Sequence, residues 1–501
     1  MNTENKLMNI AIDIDCAVDI QDFVQLNKLN QKIENLLKKQ TGGFEISLLR
    51  YWQANIFGGL IDDPKSDALI LAEKQIFCLR SAISVKEFEQ SEPLHQVQVR
   101  TNLGNLFQDL QRPIEAIEQY NKALKIIPNY SLTLANKART LTSYARIAND
   151  AGHQSMLLYS AVENYKKASA KKAIFETADQ SVLLREQFKS FAKNIAKVVN
   201  QSECKSALSK YKDKLGRSRA ERSYRTFCLE FGLFLNPLND TYQHAICSTD
   251  TLGLSNLTMP INDAGVHPPL EFSLFNRIKQ EFIAARYLYY EYMTSQGPHF
   301  SDHHVKLADT YDYTLHGNAF EKLRLAYRAS YSVLDRVAVL VNHYWRLNHK
   351  ATSFSFSTVW YETRSSKKLH NRFQTSDNMA LLGLIEVSKD LHSTERSSVS
   401  EPDSKLLADL RNALEHRFVE ITGDFAAFEK PYEDIPKSLH VRIPLAVLES
   451  RTLRMIRIAR NACIYSALAI NVEEQSKQPQ YDGLYASSLI LDFPERHTGR
   501  I

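Results

Sequence analysis

The chain has few residues of the kinds that interrupt helices. Its 501 residues include only 16 glycines and 15 prolines, so long stretches run without a break. Within these stretches, apolar residues recur at three- and four-residue spacing rather than in alternation, which is typical of amphipathic helices. The sequence therefore predicts an all-α protein, and a length of 501 residues predicts more than one domain.

Cysteine is scarce and the cysteines are scattered. The six residues lie far apart and show no C-x-x-C pair, so the sequence indicates neither a disulfide framework nor a cysteine zinc site. We expect them to be buried, reduced thiols. They are Cys16, Cys78, Cys204, Cys228, Cys247 and Cys463.

Long apolar runs and a strong charge of one sign are also missing. No run approaches the roughly 20 residues that a membrane span requires, and the stretch MNTENKLMNIAIDID lacks a basic segment followed by an apolar core. We therefore expect a cytoplasmic protein without a membrane partner.

The net charge of +5 fits phosphate-bearing partners without singling them out. A G-x-x-x-x-G-K-[ST] loop is absent, which argues against a nucleotide-driven motor, and we expect no cofactor.

The helical periodicity of the sequence is interrupted around residues 201–268, which predicts that the chain has three parts. Residues 1–200 are expected to form a helical repeat domain, 201–268 a turn-rich segment that packs on the next part, and 269–501 a helical bundle. The segment YRTFCLEFGLFLNPLNDTYQHAI is too rich in aromatic residues for a flexible linker. It is followed by the turn-forming residues Pro260, Gly265, Pro268 and Pro269.

One unit in the first part, from about residue 97 to 130, resembles a tetratricopeptide (TPR) repeat. Small residues stand where two helices touch, aromatic residues fill the space between them, and a proline ends the second helix. Repeat units that match the pattern less well flank it, and a stable array needs about three units. Such an array is either a concave surface for a peptide or protein partner or a scaffold for the second half. The matching positions are Leu103, Gly104, Phe107, Ala116, Tyr120, Ala123 and Pro128.

The C-terminal part contains five amphipathic segments, which predict an up-and-down bundle. The fourth, SKLLADLRNALEHRFVEI, carries Arg411 and His416 in the motif RNALEH. At about 100° per residue, both fall on the arc opposite the core stripe, together with Asn412 and Glu415. We therefore expect a charged and titratable group on an exposed helix face. The predicted core stripe consists of Leu406, Leu407, Leu410, Ala413, Leu414, Phe418 and Ile421.

Arg411, Asn412 and His416 match the R-x(4–6)-H signature of the HEPN family, and the likeness extends over roughly residues 210–475. YRTFCLEFGLFLNPLND and FNRIKQEFIAARYLYYE also resemble the subfamily in which HEPN follows helical repeats. The resemblance implies a metal-independent endoribonuclease that acts as a homodimer on RNA, often in toxin–antitoxin or antiphage systems. Arg411 and His416 would then be the catalytic residues.

The chemistry of these side chains suits that role. A guanidinium grips a phosphate oxygen through paired hydrogen bonds, and histidine exchanges a proton near neutral pH. Together they assist attack of a ribose 2′-OH on the adjacent phosphate. Asn412 either binds RNA or orients His416, and Glu415 either pairs with Arg411 or takes part in catalysis. The last helix offers either further phosphate contacts or a solvated or acid-paired face through Arg451, Arg454, Arg457 and Arg460.

Other interpretations compete with this one. Arginine precedes histidine at similar spacing elsewhere, for example Arg336 and His343, so spacing alone is not specific. The triplet Asp302, His303 and His304 suggests a metal phosphoesterase, but it lies in a short connection between helices rather than at strand ends. The main alternative is a non-catalytic adaptor, in which the repeats hold a peptide and the bundle dimerises or binds RNA.

Overall fold

The computed structural model describes most of the chain and is almost entirely helical. It contains 17 α-helices and two small sheets within the part described. This agrees with the all-α prediction. The described residues are 3–39, 42–210, 215–254, 257–259, 269–306, 313–350, 353–363, 366, 368–391, 402, 404–423, 440–477 and 484–486.

The N-terminal half is a succession of helices in which each of the first five packs on the next one along the chain. This is the expected helical repeat array. In chain order the helices are α1 (Thr3–Asp19), α2 (Phe23–Leu37), α3 (Gly43–Gly59), α4 (Ala68–Ser84), α5 (Pro93–Asp109), α6 (Pro113–Ile126), α7 (Ser131–Ile147), α8 (Ala151–Ala168), α9 (Ala178–Ala196), α10 (Gln201–Lys210) and α11 (Arg219–Glu230).

The repeat unit found in the sequence forms the pair α5 and α6. Both helices begin with proline, whose missing N–H costs nothing at a first helical position. Gly104 of α5 lies directly against the ring of Tyr120 in α6, and a Cβ at this glycine would lie 2.5 Å from a ring carbon. Close approach of the two helices therefore requires glycine at this position.

The remaining elements follow residue 256. The helices are α12 (Leu270–Met293), α13 (Asn318–Tyr344), α14 (Asn371–Gln374), α15 (Met379–Lys389), α16 (Ser404–His416) and α17 (Leu445–Lys477). The strands are β1 (Leu257–Met259), β2 (Phe418–Thr422), β3 (His440–Pro444) and β4 (Leu484–Ala486). β1 pairs antiparallel with β4, and β2 pairs parallel with β3.

The chain forms two compact units. The first consists of Met1–Arg146, Ser155–Gln201 and Ile385–Asp409. The second consists of Ile147–Gln154, Ser202–Leu384 and Leu410–Ile501. The boundaries drawn from the sequence stay a prediction. The turn residues Pro260, Gly265 and Pro268 lie outside the described residues, whereas Pro269 directly precedes the first residue of α12.

A buried ionic network holds Asp390 in the first unit. The carboxylate of Asp390 accepts two hydrogen bonds from Arg80, both 2.9 Å long, and two from Arg112, of 3.1 and 2.8 Å. Both guanidinium groups also lie over the ring of Phe107. The residue that follows α15 is therefore bound to the helical array through α4 and through the residue that precedes α6.

The second unit is organised around α13, which packs on both α12 and α17. The middle of α17 is buried on all sides, from Ile458 to Asn471, as expected for a helix that crosses a core. Its Arg460 is only 2% exposed and donates to Asp240 at 2.6 Å and to the Phe234 carbonyl at 2.7 Å. Arg460 is therefore an internal anchor, and of the alternatives that the sequence left open for this arginine the structure shows pairing with an acid.

The fourth amphipathic segment ends earlier as a helix than its pattern suggested. α16 stops at His416, and the residues FVEIT form β2 instead. Phe418 is 58% exposed, so its place in the predicted core stripe is wrong, while Ile421 is buried as a strand residue. Alternating, β-branched residues favour a strand where a neighbouring strand is present, and β3 supplies that neighbour.

Two further observations concern the described part of the chain. Its helices include none with both the length and the hydropathy needed to cross a membrane. All six cysteines are free thiols, and all but Cys16 are buried. Burial raises the pKa of Cys78 and of Cys228 to about 11, so both thiols are protonated and unreactive at neutral pH.

Candidate active site

The site is built on the short helix α16. Leu407, Leu410 and Ala413 are buried and form the stripe that packs inward, as the periodicity predicted. His416 is exposed at the last position of the helix, and Asn412 is exposed one turn before it. The backbone amide of residue 417 closes the final turn on the Ala413 carbonyl at 2.8 Å, and the residues that follow pair with β3 as a strand.

One stripe of α13 lines the site. Arg324, Arg328, Tyr331 and Asp335 are spaced by four, three and four residues, which places them on one face of the helix. Later residues of this stripe meet earlier residues of α16, so the two helices run antiparallel along the site.

The first contact between α13 and α16 is an ion pair between Arg328 and Glu415. Arg328 donates to both carboxylate oxygens of Glu415, at 3.0 and 2.8 Å. These hydrogen bonds are the main reason that the pKa of Glu415 is lowered, and the charges of Arg411 and His416 lower it further. The sequence left open whether Glu415 pairs with Arg411 or takes part in catalysis; its ion-pair partner in the structure is Arg328.

Arg411 is half-buried and held from two sides. Its guanidinium carbon lies 5.4 Å from the centre of the Tyr331 ring, within the range of a cation–π contact. Its Nη1 donates to the side-chain oxygen of Asn412 at 3.1 Å. A guanidinium has five N–H donors, so this hydrogen bond leaves most of its donor capacity for a phosphate.

Buried groups of α13 shape the electrostatics around Arg411. Burial raises the pKa of Tyr331 to about 12, so its ring is neutral at physiological pH and stays a suitable surface for a cation. Burial also raises the pKa of Asp335, and the charge of Arg411 opposes that rise. Asp335 therefore lies within electrostatic range of Arg411, although nothing in the sequence indicated that the two would meet.

The arginines of α17 lie near an earlier turn of α13 than Arg411 does. The charges of Arg451 and Arg454 act on Tyr327, one turn before Tyr331. Arg457 donates from Nη2 to the Phe231 carbonyl at 3.3 Å. Arg454 and Arg457 are both half-buried, so neither side chain is a freely solvated charge.

The triplet that suggested a metal site has a structural role. Asp302 accepts hydrogen bonds from the backbone amides of His299 at 3.0 Å and Asn318 at 2.9 Å, so it joins the preceding turn to the start of α13. Among the described residues, no three His, Cys, Asp or Glu side chains are grouped so that they could hold a metal ion.

Sequence reasoning missed the contribution of α13. Arg328, Tyr331 and Asp335 share a face at helical spacing, and that signal is visible in the sequence. It did not show which helix would face them, because many amphipathic helices carry a similar polar edge.

The region that carries this arrangement matches a known class of helical domain. Residues 263–473 match a family model of HEPN domains, and the match includes Arg411, Asn412, His416, Arg454 and Arg457. The particular model is the LA2681-like HEPN family. The match supports a HEPN domain in this part of the chain. Membership of a subfamily with N-terminal TPR-like repeats stays a prediction. No curated protein and no solved structure matched the chain.

Proposed function

We propose that this protein is a metal-independent endoribonuclease in which Arg411 and His416 carry the chemistry. One observation supports this most directly. The half-buried guanidinium of Arg411 rests on Tyr331, and His416 is exposed on the same short helix within the HEPN-like region. An arginine fixed by a ring and an accessible imidazole are the groups that a phosphodiester transesterification needs.

The proposed reaction is an internal transfer within RNA. The ribose 2′-oxygen loses its proton and bonds to the adjacent phosphorus, while the bond from phosphorus to the 5′-oxygen breaks and that oxygen gains a proton. The products are a 2′,3′-cyclic phosphate and a free 5′-hydroxyl. Arg411 balances the charge that grows on the phosphate, and His416 exchanges the proton. DNA is not cut, because it lacks the 2′-hydroxyl.

The active form is proposed to be a homodimer. Two α16 faces related by a twofold axis line one cleft, so each protomer contributes an arginine and a histidine near the same phosphate. Asn412, Arg454 and Arg457 are proposed to contact RNA beside the cut. The helical array is proposed to sense or dock a protein partner, and the whole chain to act as a toxin-like or antiphage effector.

The decisive experiment incubates the purified full-length protein with total RNA in EDTA. We expect wild type to cut RNA, and Arg411→Ala and His416→Ala each to abolish cutting with an unchanged unfolding midpoint. Cyclic phosphate ends are identified on the products. The matched control is the double variant Arg336→Ala, His343→Ala, which removes an arginine and histidine of similar spacing from α13 and should cut like wild type.

The outcomes separate the competing functions. Equal inactivity of wild type and His416→Ala favours the non-catalytic adaptor. Full activity of His416→Ala would show that the site is misassigned. Growth arrest on overexpression, relieved by either single substitution, supports a toxin-like role, and light scattering of the active fraction tests the dimer.

A further inference from the structure

The proposed catalytic arginine has an acidic neighbour on its own helix. Arg411 and Glu415 are four residues apart on α16, which is about 6 Å along the axis and about 40° around it. Side chains at this spacing are neighbours, and opposite charges there attract each other. The hydrogen bonds from Arg328 lower the pKa of Glu415 most, and the charge of Arg411 lowers it further. Glu415 therefore lies within reach of the guanidinium that is proposed to bind the phosphate.

In the structure, Glu415 is held by a different helix. Arg328 of α13 donates from Nε and Nη2 to the two carboxylate oxygens, at 3.0 and 2.8 Å. Two parallel hydrogen bonds of this kind fix the direction of the carboxylate as well as its distance. Arg411 contacts the ring of Tyr331 and the side chain of Asn412 instead. Both oxygens of Glu415 are thus engaged by Arg328, and Arg411 keeps donors for a phosphate.

The pair of Arg328 and Glu415 is open to the solvent. The two side chains are 40% and 29% exposed. An ion pair with this exposure is only slightly more stable than its separated, hydrated partners. A pair at four-residue spacing on a helix, such as Arg411 with Glu415, has a similar strength. Glu415 therefore has two arginine partners of comparable strength, and the bidentate geometry favours Arg328.

We propose that Glu415 is a built-in competitor of the RNA phosphate and that Arg328 is the positioning residue that keeps it off Arg411. The site then has two forms. In the open form Glu415 is bound by Arg328, and Arg411 is available. In the closed form Glu415 is bound by Arg411, and the phosphate is excluded. The choice of RNA as the excluded ligand rests on the proposed function.

The first test measures RNA binding. Full-length protein carrying His416→Ala, which leaves the RNA intact, is titrated into a fluorescein-labelled single-stranded RNA of about a dozen nucleotides, with anisotropy as the readout. Adding Arg328→Ala should raise Kd by about 2- to 6-fold, because Glu415 then occupies Arg411 in a large fraction of the molecules.

A second substitution shows whether Arg328 acts through Glu415. In protein that also carries Glu415→Gln, the neutral amide does not compete with phosphate, so Arg328→Ala should have little effect on Kd. This loss of the effect also excludes unfolding as its cause. If Arg328 bound RNA itself, the same substitution would raise Kd equally with Glu415 and with Gln at that position.

The matched control background is Glu321→Gln. Glu321 is another acid whose charge acts on Arg328, but it lies on α13, where it pairs with Arg324. Glu321→Gln changes the net charge by the same amount as Glu415→Gln. In this background Arg328→Ala should still raise Kd by the full factor, which separates loss of the competitor from a general gain in positive charge.

A second readout does not require RNA. Phenylglyoxal modifies accessible guanidinium groups, and mass spectrometry of the peptide that contains Arg411 gives the rate at this residue. Arg328→Ala should slow the modification of Arg411 by about 2- to 6-fold, because a bound carboxylate shields the guanidinium. Adding Glu415→Gln should restore the original rate.

The results that overturn the proposal differ from those that overturn the nuclease. A rise in Kd that persists in the Glu415→Gln background assigns Arg328 to direct RNA contact and overturns its positioning role. Loss of the effect in the Glu321→Gln background as well would leave net charge as the cause. An unchanged modification rate of Arg411 in Arg328→Ala rules out the closed form. The expected change in that rate, without RNA cleavage by wild type, contradicts only the nuclease.

Discussion

At the scale of single residues, the central feature is how Arg411 is kept available beside a carboxylate. Glu415 lies one turn later on the same helix and would compete with phosphate for the guanidinium. Arg328 of α13 donates hydrogen bonds to both carboxylate oxygens of Glu415. Tyr331 contacts Arg411 through a cation–π interaction with its neutral ring. Glu415 therefore does not occupy the guanidinium of Arg411, which can bind a phosphate.

This arrangement predicts different effects for two substitutions of Tyr331. Tyr331→Phe keeps the ring and should cleave RNA like wild type. Tyr331→Leu removes the cation–π contact, worth about 0.5–2 kcal/mol, and should lower kcat/KM by about 2- to 30-fold. Steady-state kinetics on a labelled RNA measure the difference. Equal activity of the two variants would mean that the ring does not position Arg411.

At the scale of elements, short stretches decide where helices stop and how closely they approach. The change from α16 to β2 places His416 at a helix end, and the buried Glu420 of β2 is bound by Thr314 and Arg442 at 2.6 and 2.8 Å. These bonds fix the strand that follows the histidine. The position of His416 thus depends on pairing with residues that are distant in sequence.

The α5 and α6 pair gives a test of helix packing. Gly104→Ala places a methyl group against the Tyr120 ring, and such overpacking typically costs about 1–3 kcal/mol. We expect a lower urea midpoint for unfolding of the first unit. Gly253→Ala is the control, because its added Cβ would have no atom within 4 Å and should change stability by less than about 0.5 kcal/mol. An unchanged midpoint in Gly104→Ala would show that the two helices separate without cost.

At the scale of the whole molecule, each unit is assembled from segments that are separate in the chain. Ile385–Asp409 is assigned to the first unit, while Arg411 and His416 belong to the second. Asp390 is anchored within the first unit by Arg80 and Arg112. Removing one partner of a buried charge network leaves an uncompensated charge, which typically costs about 3–5 kcal/mol.

This anchor predicts a dependence of stability on pH. Burial alone would raise the pKa of Asp390, but Arg112 and Arg80 outweigh it and hold the pKa well below its usual value. Because the folded pKa is below the unfolded value of about 3.9, the stabilisation is fully present above about pH 4 and is lost as the pH falls further.

We therefore expect Asp390→Asn to lower the free energy of unfolding at pH 7 and to differ less from wild type near pH 2. Urea unfolding at several pH values measures both. Glu186→Gln, which changes an exposed acid in the same unit, should match wild type throughout. A constant difference between Asp390→Asn and wild type across this range would contradict the assigned pKa shift.

The sequence by itself determined the helical class, the α5 and α6 pair, and the inward stripe of α16. These features follow from local periodicity and from glycine and proline positions, which act within a few turns of helix. Leu407, Leu410 and Ala413 are buried for that reason.

Only the tertiary structure decided which residues meet. The sequence did not show that Tyr331 supports Arg411, that Arg328 takes up Glu415, or that Arg460 is buried on Asp240. The periodicity also predicted that α16 continues through Phe418, whereas pairing with β3 makes this residue part of a strand. Each of these outcomes depends on contacts between segments far apart in the chain, and local periodicity carries no information about the partner.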